Sequence, residues 1–429
     1  MALTAEQQRT LVETNAGTPM GELFRRYWIP ALLASELPGP DCPPVRVRLL
    51  GEDLVGFCDT EGHYALLDQF CPHRGVSLFY GRNEECGLRC SYHGWKFDVE
   101  GRCVDMPSEP EESNFKHKVR IAAYPMARLG DVLWAYMGPP DARPELPEIE
   151  WARLDPAHVF VSKRIQRTNY LQALEGGIDS SHVSFTHRFN LDDDPFHKGA
   201  GGNVYLKSDG RPRFEVVESG AGLLIGARRN ADERHYYWRI TQYLMPWYTI
   251  IPPFGDHVIG AHAWVPIDDE TCWAWSINYH PVRALLEDEV AIMRAGGGIH
   301  CAYKPGTFEP LADASNDFLI DREAQRAKRS FSGVAGIAMQ DASLQESMGR
   351  VQDRTRERLG TSDSGIIMAR QRLLRAAKAL AADDATPPGL DPRAQHVRSA
   401  ALLLPKDVPF QAGAEDALRL HPHTAFVSL

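Results

Sequence analysis

The sequence predicts an α+β protein with two domains: a small all-β domain, then a larger domain in which a curved antiparallel sheet wraps on helices. Short strand patterns separated by tight turns fill residues 45–137. Prolines at four positions within residues 138–147 then interrupt any sheet or helix, so we place the domain boundary at residue 147. Beyond it, longer strand patterns combine with helical ones, which is typical of a sheet packed against helices.

An N-terminal segment, residues 1–44, precedes the small domain and is expected to be helical and to pack on the larger domain. Thr4 is a typical helix cap, and the apolar residues that follow it favour one helix over residues 4–25. The small domain then spans residues 45–147. Its expected strands lie within residues 45–59, 64–67, 96–104, 119–123 and 132–137.

The larger domain spans residues 148–429. Its expected strands lie at residues 159–167, 214–218, 223–228, 235–244, 262–267 and 273–279. Its expected helices lie near residues 170–187, 284–295 and 338–358, and another follows Ser362. The tail from Asp383 is rich in proline and glycine, so we expect it to wrap around the surface.

Composition narrows the possible functions. The 429 residues suffice for two domains with apolar cores, and a net charge of -10 argues against nucleic acid as a partner. We find no apolar run of about 18 residues and no apolar secretory signal in the polar N-terminus, so we expect no membrane association. The eight scattered cysteines suit a reducing cytoplasm.

Two pairs of candidate metal ligands, Cys71-Pro72-His73 and Cys90-Ser91-Tyr92-His93, lie in one glycine-containing stretch. A Cys-x-His pair followed by a Cys-x2-His pair supplies the ligands of a Rieske [2Fe–2S] cluster, in which two thiolates hold one iron and two imidazoles hold the other. Trp95 follows the second pair and is expected to exclude water beside the cluster. The alternative is a structural zinc site, although zinc fingers usually keep like ligands together. Cys86 is expected to be a free thiol.

A second candidate metal site lies further along the chain. Asp179, His182 and His187 form the pattern Asp-x2-His-x4-His. Two imidazoles and one carboxylate make the facial triad of a non-haem Fe(II) centre, which leaves positions open for O2 and substrate. On an ideal helix His187 lies about 140° away from His182, so both can bind one metal only where the helix ends or distorts. The alternative is a pair of solvated histidines at a helix end.

The ligand loops, together with the sequence YWIPAL at residues 27–32, resemble the catalytic α subunit of Rieske non-haem iron aromatic-ring-hydroxylating oxygenases, in the phthalate dioxygenase branch. The resemblance implies a helix-grip fold for the larger domain. It also implies that Asp341, which matches the late Gln/Glu-Asp pair of the family, is the carboxylate ligand of the iron. The residues alone leave Glu346, Asp353 and Asp317 open as rivals.

With Asp341 as the ligand, the resemblance gives Asp179 another role. The matching aspartate of the family accepts hydrogen bonds from a Rieske histidine and an iron-binding histidine, here His93 and His182, and shortens electron transfer. In the family these groups belong to neighbouring subunits, which implies a cyclic homotrimer or a stacked hexamer. Glu175, one helical turn before Asp179, is expected either to support the iron ligands or to cap or pack within its helix.

The resemblance also implies a system of several components. A separate flavin and iron–sulfur reductase oxidises NADH and supplies the electrons, and the chain itself has no convincing Gly-x-Gly-x-x-Gly nucleotide motif. The branch acts on aromatic carboxylates, so we expect a phthalate-like acid or a substituted benzoate, converted with O2 to a cis-dihydrodiol. Two other functions stay open: monooxygenation or O-demethylation of a methoxy- or aryl-ether aromatic acid, and electron transfer without catalysis.

Two arginines are candidates for substrate binding. Arg239 lies in the aromatic strand pattern at residues 235–244, where a buried cation requires a partner. That partner is either the carboxylate of the substrate or an acid within the protein. Arg228 is the second candidate, and its position near a strand end also fits a solvated side chain.

Overall fold

A computed structural model describes residues 3–110, 112–420 and 428–429 of the chain. The chain forms two compact units. The small unit is Thr14–Leu146, and the large unit is Pro147–Leu429 together with the N-terminal residues through Glu13. The small unit is built on antiparallel β-sheets, and the large unit combines an antiparallel sheet with helices. The α+β prediction is confirmed. The expectation for residues 1–44 is corrected, because residues 14–44 belong to the small unit.

The N-terminal residues form two short helices where one was expected. Helix α1 spans Ala5–Val12 and helix α2 spans Pro19–Arg25. Each begins at a threonine, Thr4 or Thr18, whose hydroxyl accepts a hydrogen bond from a backbone N–H of the first turn. Helix α1 ends before Glu13, whose backbone is extended, and Gly17 in the connection to α2 has a φ of +81°, a conformation that glycine adopts readily.

The strands of the small unit are β1 Trp28–Leu33, β2 Val45–Leu49, β3 Glu52–Cys58, β4 Tyr64–Asp68, β5 Arg82–Glu84, β6 Gly87–Arg89, β7 Lys96–Phe97, β8 Cys103–Asp105, β9 Ala123–Leu129 and β10 Val132–Tyr136. They form two antiparallel sheets with the orders β1-β10-β9-β4-β3-β2 and β5-β6-β7-β8. The strand expected at residues 119–123 is wrong, because β9 begins only at Ala123. Strand β1 was not expected, since its apolar run is explained only by its pairing with β10.

The buried core of the small unit extends beneath the two loops that contain the predicted cluster ligands. Cys71 and Cys90 belong to the same buried cluster as Leu67, Leu88 and Phe97. Leu67 lies on β4 ahead of the first loop, whereas Leu88 and Phe97 flank the second loop on β6 and β7. The apolar surface buried by these side chains therefore holds both loops in place.

The strands of the large unit are β11 Val159–Gln166, β12 Arg213–Glu218, β13 Gly222–Asn230, β14 His235–Leu244, β15 Tyr248–Ile250, β16 Ile259–Pro266, β17 Cys272–Tyr279 and β18 Ala400–Pro405. They form one antiparallel sheet in the order β11-β17-β16-β15-β14-β13-β12, with β18 paired to β14. Strand β18 corrects the expectation that the tail from Asp383 only wraps the surface. Its apolar side chains are mostly buried, so it extends the core.

The remaining helices of the large unit are α3 Glu150–Arg153, α4 Tyr170–Gly177, α5 Asn190–Asp193, α6 Asn203–Ser208, α7 Glu287–Arg294, α8 Arg322–Arg326, α9 Ile337–Ser347, α10 Ser364–Asp383, α11 Phe410–Gly413 and α12 Glu415–Leu418. Helices α4 and α9 are shorter than the expected 170–187 and 338–358. Asn169 caps α4 by accepting a hydrogen bond from the backbone N–H of Leu171 at 3.1 Å. No helix of the described residues is both long and apolar enough to cross a bilayer.

One face of the large sheet, which we call the inner face, is covered by helices. Helix α4 packs on β15, β16 and β17, α10 packs on β12 and β13, and α9 packs on α4. Helix α4 ends at Gly177, where it meets the sheet. Only glycine fits at this position, because a Cβ would lie 2.2 Å from Cη2 of Trp264. The strand register places Arg164, His262 and Arg239 on this same face.

Candidate metal centres and substrate cavity

The two ligand loops of the small unit have matching backbone hydrogen bonds. In each loop the backbone N–H of the cysteine, Cys71 or Cys90, donates to the carbonyl five residues later, at 2.9 and 2.8 Å. The glycine four residues after that cysteine, Gly75 or Gly94, donates back to the cysteine carbonyl, at 2.9 and 3.0 Å. These glycines have φ angles of +74° and +81°, which favour glycine. Each loop therefore turns back and presents its cysteine and histidine together.

The thiols and the imidazoles of these loops differ in depth. Cys71 and Cys90 are 2% and 3% exposed, whereas His73 and His93 lie nearer the solvent with ring centroids 4.4 Å apart. Trp95 is buried and stacks on His73 with a centroid distance of 4.5 Å, so it covers one face of the imidazole. Burial raises the pKa of Cys71 to about 11, so a thiolate there requires a cation beside it.

The spread of these four donors argues against a single zinc ion. Zn–S and Zn–N bonds of about 2.3 and 2.0 Å bring tetrahedral ligands within about 4 Å of one another. Among the described residues, three or more potential ligand atoms lie within 4.8 Å of one another in one place, at His182, His187 and Asp341. The small-unit loops do not form such a group, and they suit a two-iron cluster with thiols on one side and imidazoles on the other.

The second group of ligands is assembled in the large unit from α9 and the segment after α4. Nε2 of His187 lies 3.1 Å from Oδ1 of Asp341, and Nε2 of His182 lies 3.9 Å from the same oxygen. One ion between them would contact two imidazoles and one carboxylate. This set matches the facial triad, in which Fe(II) keeps positions open for further ligands. The geometry thus favours Asp341 among the acids that the residues alone had left open.

The rival acids have other partners. Glu346 accepts a hydrogen bond from the backbone N–H of Arg167 at 3.0 Å. Asp353 caps a short turn by accepting a hydrogen bond from the backbone N–H of Thr355 at 3.1 Å. Asp317 lies exposed in a left-handed turn with a φ of 51°. None of the three belongs to the group of converging ligand atoms.

The end of α4 brings the two histidines together. The α-helix stops at Gly177, and His182 opens a separate 3-10 turn, so the break that the sequence required between the histidines is present. Asp179 lies in the intervening turn and accepts hydrogen bonds from the backbone N–H groups of Ser181 and His182. Its Oδ2 also accepts from Nδ1 of His182 at 3.1 Å. Asp179 therefore orients His182 with Nε2 free for a metal.

Gln340 has the corresponding role for His187, and sequence reasoning missed it. Its Oε1 accepts a hydrogen bond from Nδ1 of His187 at 2.7 Å, while its Nε2 donates to the carbonyl of Val334 at 3.1 Å. Gln340 is buried and directly precedes Asp341 on α9. The signal available in the sequence was this Gln-Asp pair, which places one orienting residue and one candidate ligand at the same centre.

Two predicted site residues lie away from these ligands. Glu175 forms ion pairs with Arg370 at 2.6 Å and with Arg354 at 3.5 Å, so it ties α4 to α10 and does not support the iron ligands. Arg228 lies on the outer face of the sheet, with its Nε 3.5 Å from Oε1 of Glu215. The expectation that Arg228 binds substrate is therefore wrong, because a side chain on that face does not reach the cavity.

A cavity between α4, α9 and the inner face opens onto the three converging ligands. Apolar and aromatic side chains form much of its wall, among them Leu191, Ile251, Phe254, Trp264, Ile299 and Ile337. Its acids are Asp179 and Asp341, and its cations outside the ligand histidines are Arg164 and Arg239. Sequence reasoning missed Arg164. The signal that could have found it was a basic residue in the middle of the expected strand at residues 159–167.

Arg239 lines the cavity as an internal cation. It donates hydrogen bonds to the carbonyl groups of Pro252 at 2.7 Å and Pro253 at 3.3 Å. Its guanidinium carbon lies 4.0 Å from the ring centroid of Phe254. No carboxylate in the described part of the chain forms an ion pair with it, so of the two alternatives the internal acid is not observed. Arg239 holds the cavity wall formed by residues 252–254.

Two family models match the chain over most of its length. A Rieske [2Fe-2S] domain model matches residues 27–125, and a model described as LigXa C-terminal domain like matches residues 135–417. The chain is a Rieske oxygenase subunit.

Relatives show the branch to which this oxygenase belongs. It is 40% identical to the 3-chlorobenzoate-3,4-dioxygenase oxygenase subunit of Comamonas testosteroni, over 97% of this chain and 99% of that one. It is 38% identical to the phthalate 4,5-dioxygenase oxygenase subunit of Pseudomonas putida, over 89% and 88%. It is 35% identical to the 5,5'-dehydrodivanillate O-demethylase oxygenase subunit of Sphingobium sp. (strain NBRC 103272 / SYK-6), over 87% and 80%. The phthalate dioxygenase-like branch is thereby confirmed.

Membership of this family identifies the Rieske oxygenase as an oxidoreductase with two iron cofactors, a [2Fe–2S] cluster and a mononuclear non-haem iron. As an oxygenase subunit, it works with a separate electron-transfer protein. The structure offers one donor set suited to each cofactor. The buried thiols with neighbouring imidazoles suit the cluster, and the converging imidazoles and carboxylate suit the single iron.

The charges of the oxygenase's mononuclear site favour a bound cation. Burial opposes ionisation of Asp341, but His187 and His182 lower its pKa to about 2. Burial likewise opposes protonation of His182, but the hydrogen bond to Asp179 and the charge of Asp341 raise its pKa to about 9. Without a metal, His182 therefore holds a proton beside Asp341. A metal that binds Nε2 must displace any proton on that nitrogen.

Proposed function

We propose that this oxygenase hydroxylates an aromatic carboxylate, either a substituted benzoate or a phthalate-like acid, to a cis-dihydrodiol. The observation that carries the proposal is the charge of the cavity. Its two acids, Asp179 and Asp341, are engaged with histidines, while Arg164 and Arg239 form no ion pair with any carboxylate in the described ranges. An apolar wall with uncompensated cations suits a flat acid whose carboxylate supplies the missing charge. The chlorobenzoate and phthalate relatives support the same substrate class.

The proposed cluster ligands are Cys71, His73, Cys90 and His93, and the proposed iron ligands are His182, His187 and Asp341. When bound, the cluster supplies electrons one at a time, and the mononuclear iron supplies a site at which O2 is activated beside the substrate. The ring nitrogens that face away from the iron site are held by Asp179 and Gln340. These partners fix the orientation of both imidazoles and hold the proton on Nδ1, so Nε2 is the nitrogen that faces the iron site.

The electron source and the assembly extend this proposal. A separate flavin and iron–sulfur reductase that oxidises NADH supplies the electrons. The family resemblance supports a cyclic homotrimer or stacked hexamer, in which Asp179 also accepts a hydrogen bond from His93 of a neighbouring subunit. A carboxylate shared by two imidazoles would position both rings. None of the eight cysteines forms a disulfide, and the six that are not proposed cluster ligands are free thiols, which fits the reducing cytoplasm where NADH is available.

A second candidate function is monooxygenation, including O-demethylation of an aromatic acid that carries a methoxy or aryl-ether group. The observation in its favour is the O-demethylase relative, which aligns with most of this chain. The same iron ligands and cavity serve either outcome. The position of the substrate relative to the iron site decides between them.

Product analysis tests the proposal. The purified oxygenase, supplied with a generic reductase, NADH and O2, is presented with substituted benzoates, phthalates and methoxybenzoates, and O2 uptake and product mass are recorded. A cis-dihydrodiol from a benzoate or phthalate supports dioxygenation, whereas a phenol with formaldehyde supports the second function. Iron analysis should give about three atoms per chain, two for the cluster and one for the triad. About two atoms per chain and no O2 uptake with any acid would reduce the protein to an electron carrier.

A further inference from the structure

Arg164 is the second internal cation of the cavity, and it lies far from Arg239 in the sheet. Arg164 is on β11, at one end of the strand order, and three strands separate β11 from β14, which contains Arg239. Its side chain faces the cavity from the inner face and is 5% exposed. The two arginines therefore line different parts of the cavity wall.

The hydrogen bonds of Arg164 leave its guanidinium poorly satisfied. It donates to Oγ of Ser276 at 3.3 Å and to Oε1 of Gln166 at 3.2 Å, both long for a charged donor. Its buried Nε has no hydrogen-bond partner in the described chain. Arg239, by contrast, reaches a carbonyl at 2.7 Å. Arg229, the third arginine of the inner face, reaches the carbonyl of Ser180 at 2.9 Å.

Arg164 has no ion-pair partner among the described residues. No carboxylate of the described residues lies within ion-pair distance of the guanidinium. Burial raises the pKa of Glu346, and the charge of Arg164 offsets only part of that rise. The Glu346 carboxyl is instead held by the backbone N–H of Arg167 at 3.0 Å. A cation buried without a counter-charge is costly, and a ligand carboxylate would remove that cost.

The two histidines near Arg164, His262 and His300, are uncharged. Burial, followed by the charge of Arg164, lowers the pKa of His262 to about 4. Burial, followed by the charges of His262 and Arg164, lowers the pKa of His300 to about 3. Both imidazoles are therefore neutral near pH 7. Neither imidazole therefore adds a charge to the permanent positive charge of Arg164 at this end of the cavity.

Arg164 is also linked to the iron-ligand helix. Nε2 of Gln166, which accepts from Arg164, donates to Oε1 of Gln345 at 2.6 Å. Gln345 lines the cavity four residues after Asp341 on α9, about 6 Å further along the helix axis. The hydrogen bonds through Gln166 and Gln345 therefore connect Arg164 to the helix that contains the proposed iron ligand.

We propose that Arg164 binds the carboxylate of the aromatic acid substrate, while Arg239 holds the cavity wall at residues 252–254. The proposal rests on the proposed function, because it names the residue that recognises the acid group of that substrate class. The planar guanidinium suits a carboxylate through two parallel hydrogen bonds. Ser276 and Gln166 then hold the guanidinium from the protein side.

Binding without turnover tests this assignment. Benzoate and benzamide, which share a ring but differ in charge, are titrated into the oxygenase by calorimetry under anaerobic conditions without a reductase. The variants are Arg164→Met, which removes the charge, and Arg164→Lys, which keeps the charge but loses the planar donors. Arg239→Met tests the other internal cation. Arg228→Met is the matched control, since Arg228 lies on the outer face of the same sheet.

Arg164→Met is expected to weaken benzoate binding about 10- to 100-fold, as for loss of charged hydrogen bonds, and to leave benzamide binding and the cluster absorbance unchanged. Arg164→Lys should lie between Arg164→Met and the wild type, and Arg228→Met should match the wild type. Benzoate affinity that survives Arg164→Met but is lost in Arg239→Met would overturn the assignment. Equal loss of both ligands in Arg164→Met would show a structural role and also overturn it. A wild-type protein that binds neither benzoate nor 3-chlorobenzoate would instead contradict the substrate class itself.

Discussion

Replacing Gln340 with leucine should weaken iron binding at the mononuclear site without removing an iron ligand. Gln340 is 4% exposed, and its Oε1 accepts the Nδ1 proton of His187 at 2.7 Å. Leucine has a similar size but no acceptor. The buried Nδ1–H then has no partner, and the ring is free to rotate Nε2 away from Asp341, which it approaches to 3.1 Å.

Two independent estimates give the size of the effect. A buried donor without a partner costs about 1–3 kcal/mol. Loss of a residue that orients a metal ligand costs about 10- to 100-fold in metal affinity, which corresponds to about 1.4–2.7 kcal/mol. We therefore expect Gln340→Leu to bind Fe(II) about 10- to 100-fold more weakly. Gln340→Glu should bind Fe(II) at least as well as the wild type, because a carboxylate accepts the same proton and makes the imidazole a stronger ligand.

Anaerobic competition for Fe(II) between the iron-depleted oxygenase and a coloured chelator measures this affinity. The absorbance of the Rieske cluster reports that the small unit remains folded, and the unfolding midpoint in urea reports the same for the large unit, which contains Gln340. Leu344→Ala is the control, since Leu344 lies one turn further along α9 and is 44% exposed. Equal Fe(II) affinities of Gln340→Leu and the wild type would refute the role of Gln340.

Three further predictions concern other parts of the large unit. Asp179→Asn should keep its iron, because the amide oxygen can still accept the Nδ1 proton of His182. It should lose at least about nine-tenths of turnover, because the amide nitrogen is a donor and cannot accept the proposed hydrogen bond from His93 of a neighbouring subunit; normal product formation would contradict this. Gly177→Ala should lower the unfolding free energy in urea by about 1–3 kcal/mol, because the new methyl group would meet Trp264, and an unchanged midpoint would contradict the contact. His300 is buried with a pKa of about 3, below its unfolded value of about 6.5, so the unfolded state binds more protons between these pH values. The contribution of this group to the unfolding free energy should thus fall by about 1.4 kcal/mol per pH unit as the pH drops from 6.5 toward 3. His300→Gln should remove that slope, and an unchanged slope in this variant would show that the imidazole is solvated in the folded protein.

The proposed cluster ligands of the small unit could be selected from the sequence because each pair is local. Cys71 and His73 share one turn, as do Cys90 and His93, so their spacing alone describes a loop that presents a thiol and an imidazole. The N-terminal boundary of the small unit could not be predicted from local sequence. Residues 28–33 form a strand only because they pair with 132–136, and nothing within residues 14–44 reports that pairing.

Strand alternation placed Arg239 on the inner face, but it could not relate one strand to the next. The neighbours Arg228 and Arg229 look alike in the sequence, and only the pairing of Ala227 with Arg239 shows which of them faces inward. Arg229 is 1% exposed on the inner face, whereas Arg228 contacts Glu215 on the other. A shift of one residue in this register would exchange their positions, so the error lay in the pairing and not in the residue type.

The mononuclear site shows why its third ligand needed the structure. The acids at 341, 346 and 353 follow one another on a helical pattern, and their spacing leaves open which one faces the histidines. The orientation of α9 is set by its packing on α4, and the hydrogen bond from His187 to Gln340 fixes it further. Once Gln340 contacts His187, the next residue, Asp341, is brought to Nε2 of the same ring. The orienting residue and the ligand therefore depend on one another, which predicts that moving the Gln-Asp pair by one position along α9 would abolish the site even with all residue types retained.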